Sequence, residues 1–152
     1  MQSLKNSGMA VTMDIGECDN IHPSNKKPVG DRLAYWALSK TYNIGGITYS
    51  GPVYKEMKVE DSKAILNFDY ANNGFSSFGK KLHGFEIAGN DKVFYEADVK
   101  ITKHKKSLTV WSDKVQEPIA VRYAFKNCVE GTLYNVEGLP ASSFRTDNWD
   151  NK

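Results

Sequence analysis

Apolar and polar positions follow two different periods along this chain, and the change falls near Asn43. Before it, Met9-Ala10-Val11-Thr12-Met13-Asp14-Ile15 is short, mostly apolar and partly β-branched, bounded by Gly8 and Gly16. Such a run predicts a buried strand of a parallel sheet. Glu17 to Lys27 is polar and holds Asp, Asn, Pro and Ser, so it predicts a loop. Pro28 suits the first turn of a helix running to about Tyr42. Val29, Leu33, Trp36, Ala37 and Lys40 recur at three- and four-residue spacings, a stripe whose first four members are apolar. Gly45-Gly46 ends it. Strand, loop and helix make half of an α/β unit, which cannot bury both of its own faces and needs a support.

After Asn43 the period becomes two. Val93, Tyr95, Ala97, Val99 and Ile101 alternate with Phe94, Glu96, Asp98, Lys100 and Thr102, the pattern of a half-buried strand. Ile119, Val121, Tyr123 and Phe125 alternate with Ala120, Arg122 and Ala124 in the same way. Shorter strands are expected at Ile47–Ser50, Val53–Val59, Ala64–Phe68, Phe85–Ala88 and Leu108–Trp111. Turn signals separate them at Glu60-Asp61-Ser62, Asn72-Asn73-Gly74, Gly89-Asn90-Asp91 and Lys103-His104-Lys105-Lys106. The chain is therefore expected to be mainly β. An antiparallel β-sandwich would occupy residues 44–148, preceded by the strand-loop-helix piece at 1–43 and followed by a fraying tail at 149–152.

Composition narrows the function classes without naming one. The 152 residues suffice for one ordinary domain. Twenty basic against 18 acidic side chains give a formal charge of +2, which argues against a nucleic-acid partner. The longest apolar run is the six residues Leu33–Leu38, against the roughly 20 a bilayer requires, so no membrane span is expected. Met1 to Ala10 has one lysine and no apolar stretch of signal-peptide type. Cys18 and Cys128 cannot form a disulfide scaffold or an all-cysteine zinc site, and sequence leaves open whether they meet. His83 and His104 sit in turn-like contexts without ligand-spaced neighbours, so neither a metal nor a cofactor is expected.

The most informative local feature is Asp19-Asn20-Ile21-His22-Pro23. An aspartate three residues before a histidine can share one side of a tight turn with it. The carboxylate can then accept from one ring nitrogen and fix the tautomer, leaving the other to take a proton from a nucleophile. A solvated loop produces the same four-residue pattern. The expected place, at the carboxyl end of a buried strand, is where α/β enzymes build their sites.

These residues resemble a known family. Gly8-Met9-Ala10-Val11-Thr12-Met13-Asp14-Ile15-Gly16, then Asp19–His22, His22-Pro23-Ser24-Asn25-Lys26 and Gly30-Asp31-Arg32-Leu33-Ala34 resemble the end of the hydrolase domain of SGNH-type sialate O-acetylesterases. Gly84-Phe85-Glu86-Ile87-Ala88-Gly89, Val121-Arg122-Tyr123-Ala124 and Gly138–Asp147 resemble that family's carboxyl-terminal β-rich region. The resemblance implies that 1–43 is the closing strand, loop and helix of an α/β SGNH hydrolase domain. Asp19 and His22 would be the triad aspartate and histidine of an enzyme that removes acetyl groups from sugars. It also implies a family that is often secreted or periplasmic.

The family's nucleophile is a serine in a Gly-Asp-Ser-like block that precedes these segments. None of the twelve serines lies in Gly-Asp-Ser or Gly-x-Ser-x-Gly. Gly89-Asn90-Asp91 superficially matches the family's asparagine block but reads as a turn. A triad histidine works on a hydroxyl within about 3 Å. Loss of one oxyanion donor alone costs roughly 100- to 1,000-fold in turnover. The chain alone is therefore expected to be inactive, a carboxyl-terminal fragment whose partner is the missing hydrolase portion. The stripe Val29, Leu33, Trp36 and Ala37 should pack on the sandwich, or on a second copy through Val29, Leu33 and Trp36. The alternative is a non-catalytic module, structural or binding sugars through Phe75, Phe78, Trp111 and Tyr134.

Overall fold

A computed structural model describes residues 4–102 and 106–149. The Lys103–Lys106 turn, apart from Lys106 itself, His104 and the end of the tail lie outside the described residues. Helix α1 runs Lys27–Trp36, with Pro28 in its first turn, and continues as a π-helical turn over Ala37–Thr41. Among the described residues ten strands follow: β1 Val53–Glu60, β2 Lys63–Asp69, β3 Phe75–Ser76, β4 Phe85–Ala88, β5 Phe94–Glu96, β6 Asp98–Ile101, β7 Ser107–Trp111, β8 Ala120–Tyr123, β9 Tyr134–Asn135 and β10 Phe144–Arg145.

All strand pairs are antiparallel. One four-stranded sheet has the order β1-β2-β7-β6, a second has β10-β8-β4-β5, and β3 pairs with β9. The inward residues Ala64, Leu66, Leu108 and Val110 of the first sheet form one cluster with Phe85, Ile87, Val121 and Tyr123 of the second. Sheet on sheet around one apolar layer is the expected sandwich. Phe144 of β10 stacks on Tyr54 of β1 at 4.9 Å between ring centroids, an aromatic contact from one sheet to the other.

Several elements differ from the sequence reading. Met9–Ile15 forms no strand; it runs irregularly into a turn at Met13–Ile15, because no neighbouring strand satisfies its backbone. Ile47–Ser50 is likewise not a strand. The long alternating run from Val93 to Ile101 breaks at Ala97 and changes sheets, β5 pairing with β4 and β6 with β7. Its inward phase holds from Tyr95 to Ile101, whereas Val93 is exposed. Strand β8 is buried on both faces, since Arg122 on its outward phase is covered through Asp147. The β1–β2 turn forms at Asp61 and Ser62, both with positive φ, the two-residue geometry that matches strand twist.

Of the expected stripe, Val29, Trp36 and Ala37 are half-buried, but Leu33 is not on the covered face and Arg32 is. Arg32 is its buried residue, Trp36 is partly buried beside it, and Leu33 remains 53% exposed. The Trp36 indole N–H donates to the Met9 carbonyl at 3.1 Å, and its ring meets Tyr49 at 4.6 Å.

Candidate functional site

The segment that carries Asp19 and His22 is fixed to the sandwich by bonds that span much of the sequence. Arg32 of α1 forms a two-pronged ion pair with Asp14, at 2.8 and 2.7 Å, and also donates to the Val11 carbonyl at 2.6 Å. The Met13 carbonyl accepts from the Gly131 N–H at 2.7 Å. A Cβ at position 131 would lie 2.9 Å from that of Met13, so this approach requires glycine. Five residues after Met13, Cys18 is disulfide-bonded to Cys128, with Cα atoms 5.4 Å apart across 110 residues of sequence. The meeting of the cysteines, left open by the sequence, is thus made by the fold.

Within the loop the organising carboxylate is Glu17. Its Oε1 accepts from the Ser24 backbone N–H at 2.6 Å and from the Ser24 hydroxyl at 2.8 Å. Its Oε2 accepts from the Asn20 amide at 3.1 Å. These bonds, the Ser24 N–H first, hold the Glu17 carboxyl below the usual glutamate range. Asn20 Oδ1 in turn accepts from the His22 backbone N–H at 2.9 Å, an Asx turn. Asp19 and His22 are both exposed on this loop, and among the described hydrogen bonds none joins their side chains. Between them Ile21 is 90% exposed. Ser24, the serine nearest His22 in sequence, spends its hydroxyl proton on Glu17.

The remaining sequence candidates are absorbed by structure. Among the described residues no three His, Cys, Asp or Glu side chains are grouped to hold a metal ion. Gly89-Asn90-Asp91 is a turn closed by the Lys92 N–H on the Gly89 carbonyl. Of the four aromatics considered for sugar stacking, Phe75 and Tyr134 are buried in the core region, and burial pushes the Tyr134 phenol up to about 12. Phe78 is exposed but meets Tyr134 edge-on, and Lys63 lies over the Trp111 ring. Sequence reasoning missed Glu17 and Arg32 as the groups that organise the loop. The spacing of Glu17, Asn20 and Ser24 was the available local signal for the first.

A cleft of about 370 Å³ lies beside this segment, between Gly8, Met9, Trp36, Gly51 and Tyr70. Met9, Val11 and Val53 line it along with the two aromatic residues, Asp69 is its one acidic residue, and neither Asp19 nor His22 reaches it.

No family model matches the chain. Over 71 residues, 44% of its length, it is 32% identical to the sialate O-acetylesterases of Homo sapiens and Pongo abelii, covering 14% of each. A crystal structure of a carbohydrate acetylesterase from Xanthomonas citri matches with a TM-score of 0.82 and 39% identity, over 90% of this chain and 31% of that one. The chain spans about a seventh of the curated relatives and about a third of the solved one.

Proposed function

We propose that this chain, which resembles the carboxyl-terminal part of a sialate O-acetylesterase and is related to carbohydrate acetylesterases, supplies two members of a serine-esterase triad to a site completed by an N-terminal hydrolase portion. In that site His22 takes the proton from a serine hydroxyl as it attacks the acetyl carbonyl, then returns it to the departing sugar oxygen. Asp19 orients the imidazole and stabilises its protonated form. The sandwich braces the loop on which both stand.

The observation that carries this reading is the tethering of the loop. Cys18, immediately before Asp19, is covalently joined to the sandwich at Cys128, while Asp19, Ile21 and His22 face outward. A loop fixed at its base with an isoleucine and a histidine left bare is suited to being covered by another surface. The disulfide also suits an oxidising compartment. Among the described residues no serine hydroxyl is bonded to His22, and Ser24 donates its own to Glu17; we propose that the chain alone is inactive, giving only slow imidazole-like hydrolysis of activated esters.

Two assays test the reading. The isolated chain should hydrolyse acetylated sugars no faster than buffer, and serine-hydrolase-like turnover with covalent labelling of one of its serines would overturn the proposal. Placed in the Xanthomonas citri acetylesterase in exchange for its counterpart there, the chain should support acetyl-ester hydrolysis that His22→Ala abolishes and Asp19→Asn strongly reduces. Full activity of the His22→Ala chimera would overturn the assignment.

A further inference from the structure

Asp19 and His22 need a fixed relation to any incoming hydroxyl, yet neither side chain is held by the other, and both stand on an exposed loop. What holds the loop is a short relay. Glu17 grips Ser24 through one oxygen and Asn20 through the other, and Asn20 grips the backbone of His22. Glu17 and Asn20 also meet through a backbone bridge, the Asn20 N–H reaching the Glu17 carbonyl at 3.4 Å. The relay starts one residue before the Cys18–Cys128 tether, so it is referred to the sandwich and not only to the loop.

We propose that Glu17 is a positioning residue for His22, acting through the Asn20 side chain. The inference rests on the reading of His22 as the triad histidine, and it adds a residue which that reading does not use. Glu17 touches neither substrate nor reacting atoms; its part is to set the orientation of the Asn20 amide. With the carboxylate accepting from Nδ2, Asn20 must present Oδ1 to the His22 N–H. Lys26 is the cation nearest in effect on this carboxylate, and it favours the ionised form that accepts all three bonds.

Glu17→Gln separates the two arms of the relay. A glutamine oxygen can still accept both Ser24 bonds, but its NH2 then confronts the Asn20 NH2, two donors facing each other. Asn20 either turns, withdrawing Oδ1 from His22, or loses its partner. Amide hydrogen exchange and 15N-resolved spectra of the chain itself read this out. In Glu17→Gln the His22 N–H should lose protection by roughly three- to tenfold while the Ser24 N–H keeps its own, the range being that of one hydrogen bond's net contribution. Asn20→Ala should reproduce the loss at His22 with Ser24 again unchanged. Unchanged protection of His22 in either variant, with the sandwich resonances intact, overturns the proposal.

The acetylesterase chimera separates this inference from the function on which it rests. If His22→Ala abolishes hydrolysis, Glu17→Gln should lower kcat about three- to tenfold with KM little changed. An unchanged kcat there overturns the positioning role and leaves the triad assignment standing. If His22→Ala leaves hydrolysis intact, the triad assignment fails, and the positioning role fails with it whatever the exchange data show.

Discussion

Asp14 and Arg32, eighteen residues apart, join carboxylate to guanidinium through two parallel hydrogen bonds, with both side chains only 9% exposed. The pair ties helix α1 to the irregular segment before the candidate loop, and the Arg32 bond to the Val11 carbonyl adds a third point. A guanidinium fork suits this because its donors are fixed in one plane.

Removing one partner of that pair leaves a buried charge without its counterion. Arg32→Ala or Asp14→Ala should therefore destabilise the chain by about 3–5 kcal/mol. Arg32→Lys should recover only part of this, since an ammonium cannot make the two-pronged contact. Urea unfolding followed by the fluorescence of Trp36, which lies on the same helix face, checks both. A Lys variant as stable as the parent would contradict the geometric argument.

The Cys18–Cys128 bond closes a loop spanning 110 residues. In the chain-entropy account such a cross-link restricts the unfolded ensemble, and loss of a native disulfide typically costs about 2–5 kcal/mol. The Cys18→Ser/Cys128→Ser double variant should lower the thermal midpoint, and reductant should lower that of the parent but not of the variant. Equal midpoints for oxidised parent and double variant would show that the bond contributes nothing to stability.

Tyr123 lies wholly inside the core, and its phenol oxygen accepts from the backbone N–H groups of Thr132 and Leu133, each at 3.0 Å. Tyr123→Phe keeps the ring and orphans two buried donors. The expected loss is about 1–3 kcal/mol for each donor that finds no other partner, read from chemical denaturation. A neutral substitution would mean that both donors had found new acceptors.

The Asp147 side chain is 1% exposed and accepts two hydrogen bonds from Arg122, whose side chain is 8% exposed. The Arg122 bonds hold its carboxyl below the usual aspartate range. A carboxyl with a depressed folded-state pKa contributes stability that is fully present above its unfolded pKa, and that stability is lost as pH falls through the folded value. Below the ordinary aspartate range, near pH 4, the parent should therefore lose stability in a step that Asp147→Asn lacks. Stability curves of the two proteins that run parallel from pH 6 to pH 2 would refute this.

Much of the sandwich was legible from local pattern because its strands alternate against a shared core. Phe85–Ala88 falls where β4 lies, and Ala64–Phe68 and Leu108–Trp111 each fall within one residue at either end of β2 and β7. The two-residue strands β3, β9 and β10 were missed because two residues have no period. The break at Ala97 was missed for the opposite reason. Alternation continues unbroken through a residue where the chain leaves one sheet for the other, since both sheets bury the same face of the run.

The candidate site divides along the same line. Asp19 and His22 stand out in sequence because their residue types and spacing are chemical signals carried within four positions. Glu17 is only weakly marked, by its spacing to Asn20 and Ser24, because a carboxylate that caps a loop looks like any exposed charge until its three donors are known.

The sequence by itself determined the antiparallel β class, the helix after Pro28 and the presence of an Asp-x-x-His loop, all of them set by local periodicity and residue chemistry. Only the tertiary structure decided that Met9–Ile15 forms no strand, that Arg32 and not Leu33 faces the body, and that Cys18 reaches Cys128. Each of these depends on which distant backbone or side chain arrives as a neighbour. A strand needs a partner edge, a buried guanidinium needs its carboxylate, and a disulfide needs two Cα atoms brought close across more than a hundred residues.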